Sequence, residues 1–138
     1  MSNIITIGHA KFWREYNKSV FFQFSDDDAF HNLDLNTAKK YIDVMVKLCD
    51  GKPMPFIIDL RGFRGTFSTE AASFIAKSPI LEKLRISQAF IVNSIGTKLL
   101  IASYKRLYDP ITPYHIFSDL GLAEQYCLET KNEFHGSC

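Results

Sequence analysis

The chain has 138 residues, of which 46% are hydrophobic and 22% charged, with 16 basic and 15 acidic side chains for a net charge of +1. That length and balance suit one folded domain and exclude a disordered chain; the missing basic excess argues against a protein that tracks nucleic-acid phosphates. No apolar stretch approaches the roughly 20 residues of a membrane span, so the expected unit is a single domain over residues 1–130 with a flexible polar tail over 131–138.

Residues 11–25 read as a β-hairpin. Phe12 to Tyr16 and Val20 to Phe24 are aromatic and β-branched, with Asn17-Lys18 as the turn; Ile4 to Ile7 extends the first strand or precedes it as a short one. On alternation Phe12, Arg14 and Tyr16 share one face and Trp13 and Glu15 the other, while Phe21 faces opposite to Phe22 and Phe24. Both faces therefore carry rings. One must pack on the core, which leaves Trp13, Tyr16 and Phe22 as candidates for a partner or dimer interface.

The polar segment 25–36 reads as a loop. Asp26, Asp27 and Asp28 with Asp34 lack the glycine and distal glutamate of a calcium loop, so no metal site is expected. Ala38, Tyr41, Ile42, Met45, Val46 and Cys49 then recur on one helical face, capped by Asp34 or Asn36 and stopped by Gly51 and Pro53. Phe56 to Leu60 is a continuous apolar run holding Asp59, which predicts a strand buried on both faces. A loop over 61–67 leads to a helix from Ser68 to Lys77 with Ala71, Phe74 and Ile75 inward, and Pro79 ends or kinks it. Ala89 to Val92 is a second buried strand. Ser94 caps a helix to Tyr108 with Leu99, Leu100, Ala102 and Leu107 among its apolar positions. Tyr114 to Phe117 is the last strand, and Ser118 or Asp119 caps a helix bearing Leu122, Ala123, Tyr126 and Cys127. A hairpin, a helix and three rounds of strand and helix make an α/β domain: a mixed, mostly parallel sheet covered by about four helices.

The strand ending Ile58-Asp59-Leu60, its short loop and the Ser68-started helix resemble the SpoIIAA-like or STAS domains, the family of anti-sigma-factor antagonists. Ala89 to Ser94, Pro113, the strand ending Ile116-Phe117 and the helix from Asp119 resemble uncharacterised bacterial members of that fold. The resemblance spans residues 11–128 and implies a non-enzymatic regulatory module that contacts protein partners, a second copy included. In the phosphorylated antagonists the strand's Asp is followed, one loop later, by an Asp-Ser-Ser-Gly run. Counted without gaps from Asp59, Phe67 takes the place of that Asp, Ser68 that of the phosphorylated serine, and Thr69 and Glu70 follow. The hydroxyl is kept and its acidic and glycine flanks are not.

Each candidate has a plain structural role beside its functional one. Ser68 and Thr69 offer a phospho-switch, or Ser68 simply caps its helix. Arg61-Gly62-Phe63-Arg64-Gly65, at the carboxyl end of a strand, offers an anion loop or a solvated turn; it lacks the Gly-Lys-Ser/Thr ending of a P-loop. Asp59 binds loop amides or works as an acid or base. Ser94 caps, or helps bind an anion. An alternative to the regulatory module is a small-molecule site, for an anion or apolar ligand, in a pocket near Asp59, Arg61, Ser94 and His115. The four scattered histidines form no metal pair, and neither a hydrolase elbow nor a Cys–His nucleophile is visible, so no cofactor and no catalytic residue are expected. Cys49, Cys127 and Cys138 show no metal or disulfide spacing and, with no signal segment, point to a reducing cytoplasm.

Overall fold

The computed structural model describes residues 4–16, 18–24, 31–61, 63–108 and 112–136. Strands β1 (Ile5–Ile7), β2 (Ala10–Glu15) and β3 (Ser19–Phe24) open the chain, and β4 (His31–Leu33) precedes helix α1 (Leu35–Cys49). Next come β5 (Met54–Asp59), β6 (Gly65–Phe67), α2 (Thr69–Ala76), α3 (Pro79–Leu84), β7 (Arg85–Ile91), α4 (Ile95–Tyr108), β8 (Tyr114–Phe117) and α5 (Leu120–Gly136). The main sheet has the order β1-β2-β3-β5-β7-β8. Its first three strands are antiparallel and its last four parallel, so the mixed, mostly parallel sheet expected from the sequence is present.

The hairpin forms where the aromatic alternation places it. Tyr16 adopts φ 46° in its turn, and the Lys18 amide donates to the Glu15 carbonyl at 2.8 Å. Asp34 caps α1 by accepting from the Thr37 amide at 2.8 Å. The helix stops at Asp50 (φ 51°) and Gly51 (φ 77°), both in the left-handed region that ends helices.

One face of the sheet lies under α1 to α4. Phe12, Phe22, Phe24, Phe56 and Phe90 point into that side with Tyr41 and Met45 from α1. The other face lies under α5: Phe21, Ile57, Ala89 and Ile91 meet Ala123 and Cys127, with Trp13 and Phe117 at the margin.

Several expectations need correction. Segments read as plain loop pair as a second, two-stranded parallel sheet, His31 opposite Gly65 and Leu33 opposite Phe67. Pro79 does not merely end a helix. It occupies the first position of α3, capped by Ser78, because its missing N–H costs nothing there. The helices therefore number five among the described residues. Phe74, placed inward by periodicity, is exposed, as are Leu99 and Leu122 among the apolar positions of α4 and α5, because α2, α4 and α5 each bury a narrower stripe. Helix α5 runs on through residues 131–136, the first part of the segment read as a tail.

Candidate functional site

All four parallel strands end at one edge of the sheet, in a row formed by Gln23, Asp59, Ile91 and Phe117. Asp59 is the centre of that row. Its Oδ1 accepts from the Arg61 amide at 3.0 Å and from Arg61 Nε at 3.0 Å; its Oδ2 accepts from Arg61 Nη2 at 2.9 Å and Gln23 Nε2 at 3.2 Å. Burial pushes the Asp59 carboxyl upward, but these hydrogen bonds outweigh it and hold the group below the ordinary carboxylate value. The hydrogen-bonded Asp59 likewise stabilises the charged form of Arg61, with Asp119 adding attraction. Both guanidinium edges that face Asp59 are thus committed to it. The loop holds its own counter-ion rather than an open cradle for an anion.

The other loop candidates scatter. Arg64 is exposed, Gly65 takes φ 149° where β6 begins, and Gly62 lies outside the described residues, as do Asp26 to Asp28 and Cys138. Ser68 Oγ accepts from the Ala71 amide at 3.0 Å and its own amide donates to Leu33 at 2.8 Å; Thr69 is exposed beside it. Ser94 Oγ accepts from the Thr97 amide at 3.2 Å. Both serines cap helices, as Asp59 braces its loop. His115 is exposed on β8, its ring 4.8 Å from that of Phe117 and 5.9 Å from that of Tyr126.

The proposed interface trio separates as well. Tyr16 is exposed in the hairpin turn, and Trp13 is half-buried, stacked on Phe21 at 4.9 Å and donating to Glu15 at 3.1 Å. Phe22 is a correction. Its ring is buried between Phe12, Phe24 and Tyr41, with centroids 4.5 to 5.0 Å away, and takes no part in any surface. Burial pushes the Cys49 thiol up to about 11 and the Cys127 thiol up to about 12, so neither is a ready nucleophile.

A partly open apolar cavity lies away from Asp59, Arg61, Ser94 and His115, between the sheet and α1, α2 and α4. It is a cavity of about 110 Å³ walled by rings and aliphatic groups, among them Phe56, Phe90, Ala72 and Ile101. Arg85, Gln88 and Tyr104 also border it, but its exposed lining is almost wholly apolar. Burial pushes the Tyr104 phenol up to about 12, against the pull of Arg85, so it stays neutral. Nothing local in the sequence marks Arg85 or Gln88. The available signal was a cation and an amide at the head of an otherwise apolar strand.

The model of a family described as a domain of unknown function, DUF7793, matches residues 12–131, and the chain belongs to that family. No curated protein matches it. Among solved structures it is similar to an uncharacterized protein of the DUF3478 family with a SpoIIAA-like fold, from Shewanella loihica PV-4. The two share 14% identity over 92% of this chain and 95% of that one, with a TM-score of 0.58. The likeness is one of fold, and the fold is SpoIIAA-like, as the sequence resemblance implied.

Proposed function

We propose that this DUF7793 domain is a cytoplasmic, non-enzymatic regulatory module that works by contact with a protein partner, a second copy of itself included. The observation that carries the reading is an uncovered apolar stripe on α4. Ile95 is 78% exposed and Leu99 61%, and Ala102 continues the same face at helical spacing. The helix springs from the carboxyl end of β7, so the stripe begins beside the Asp59–Arg61 edge. Exposed apolar groups aligned in this way favour association over solvation. Support comes also from what the reactive groups are doing: Ser68, Ser94 and Asp59 brace the fold, and two thiols are buried.

Regulation would enter at Ser68 or Thr69. A phosphate there would meet the amides and the positive end of the α2 dipole, trading a neutral cap for a charged one.

The double variant Ile95→Asp/Leu99→Asp tests the reading, by sedimentation and by affinity capture from the source cells. Wild-type protein should dimerise or retain a specific partner, and the variant should do neither while remaining folded. A wild-type monomer with no partner, or a variant that behaves alike, refutes the surface. Phosphate on Ser68 or Thr69, sought by mass spectrometry of native protein, decides the switch; partner capture unchanged in Ser68→Ala would dispose of it.

A further inference from the structure

The stripe on α4 is basic as well as apolar. Lys98, Lys105 and Arg106 are all exposed, and the helix holds no carboxylate. At helical spacing Arg106 extends the row Ile95, Leu99 and Ala102, while Lys98 and Lys105 run along one side of it. Helix α5, on the opposite face of the sheet, has the reverse character. Glu124, Glu129 and Glu133 are exposed on it and Asp119 caps it, against one lysine, Lys131. It too shows apolar groups to solvent: Leu122 is 52% exposed and Leu128 59%. Beside Leu128 the surface is hollow. A cleft of about 410 Å³ lies between α5 and the end of the β2–β3 hairpin, lined by Glu15 and Lys18 from the hairpin and by Glu124, Leu128 and Lys131 from α5. The cleft's own charges balance, so the acidic excess comes from Glu129 and Glu133 beyond it.

A basic apolar ridge and an acidic, hollowed apolar face on one molecule complement each other in both shape and charge. They cannot meet within one chain, because the sheet lies between them. We propose that the partner of the α4 stripe is α5 of a second copy, with Ile95 and Leu99 seated against Leu128 at the cleft and the α4 cations facing Glu129 and Glu133. This rests on the α4 stripe being a contact surface, as proposed above, and names what covers it. Because the two surfaces differ, the contact is head-to-tail. Each added copy leaves an unused α4 at one end and an unused α5 at the other, so association runs past the dimer until a ring closes. Apolar contact supplies the attraction at short range, and the opposite charges set which face is chosen.

Sedimentation at low and high salt tests the pairing, on wild-type protein, a basic-face reversal (Lys98→Glu/Lys105→Glu/Arg106→Glu) and an acidic-face reversal (Glu129→Lys/Glu133→Lys). Wild-type protein should form species beyond the dimer, and their population should fall as salt rises. Either reversal alone should weaken association by at least about tenfold, because like charges then face each other. An equimolar mixture of the two should associate again, since every reversed face now meets an opposite one; a variant that had merely misfolded would not be rescued. The Ile95→Asp/Leu99→Asp variant separates the pairing from the stripe it rests on. If that variant is monomeric while the acidic-face reversal associates like wild type, the stripe stands and α5 is not its partner. If that variant itself associates like wild type, both fall. The pairing is also overturned by wild-type protein that stops at a dimer or stays monomeric up to about 0.5 mM at low salt, and by folded reversal variants whose mixture fails to associate.

Discussion

The two faces of the main sheet solve the same burial problem with opposite materials. Under α1 to α4 the contacts are made by large rings, Phe12, Phe22, Phe24, Phe56, Phe90 and Tyr41, and rigid rings leave gaps between them; the cavity sits among them. Under α5 the central contacts are small, Ala89, Ala123 and Cys127, and Ser87 Oγ lies 2.7 Å from Thr130 Oγ1. Small groups let a helix approach closely. One face therefore leaves spare volume between its rings, while the central contacts of the other are close.

The largest expected effect strikes the ring-built face. Phe56 is 1% exposed at the centre of the sheet, and Phe56→Ala should cost about 3–5 kcal/mol, as lost burial plus a widened cavity. Urea unfolding measures it. A loss below about 1 kcal/mol would mean that the face collapses freely and is not a rigid cage.

The second expectation turns the comparison round by adding volume. Ala123→Leu, at a fully buried site beneath α5, should cost about 1–3 kcal/mol by forcing the helix off the sheet. Ala72→Leu, equally an Ala-to-Leu change in a buried helix position, should fall within about 1 kcal/mol of wild type because the cavity receives it. Equal losses at the two sites would erase the distinction between the faces.

How much of this was legible in the sequence depends on how local the cause is. The hairpin, the apolar face of α1 and the caps at Asp34, Ser68 and Ser94 follow from neighbours within a few residues, and they stand where the pattern puts them. The β4–β6 ladder joins segments more than 30 positions apart through three residues each, too short to show a period. Helix α3 was hidden because Pro79 reads as a stop when its neighbours are unknown. Periodicity marked Leu99 as apolar but could not say that nothing lies over it. Among the candidate residues, the Asp59–Arg61 pair needed the loop to curl back two residues, and the burial of Arg85 needed β7 to begin four residues earlier than its apolar run. Both are tertiary facts.

The smallest effect concerns the open edge, where the α5-covered face meets solvent. Arg61→Ala removes the counter-ion of a mostly buried carboxylate. A fully buried pair broken in this way loses about 3–5 kcal/mol, but the Arg61 side chain is 41% exposed and water screens it. The Gln23 bond and the residue 61 amide also survive the substitution. We therefore expect a loss of about 1–2 kcal/mol at pH 7. Its pH dependence has a definite sign. In the folded protein the Asp59 carboxyl is held below its unfolded value, so its contribution is fully present above the ordinary carboxylate range and fades as pH falls through the folded value. Without Arg61, burial of Asp59 is opposed by fewer hydrogen bonds, and its folded value rises. The variant should accordingly lose less stability than wild type as the pH falls, so the gap between them narrows and the two converge in strong acid, where Asp59 is protonated in both. Urea midpoints from pH 7 down to pH 3 read this directly. A gap constant across that range would show that Arg61 acts by packing its stem, and that Asp59 holds its loop through the amide alone.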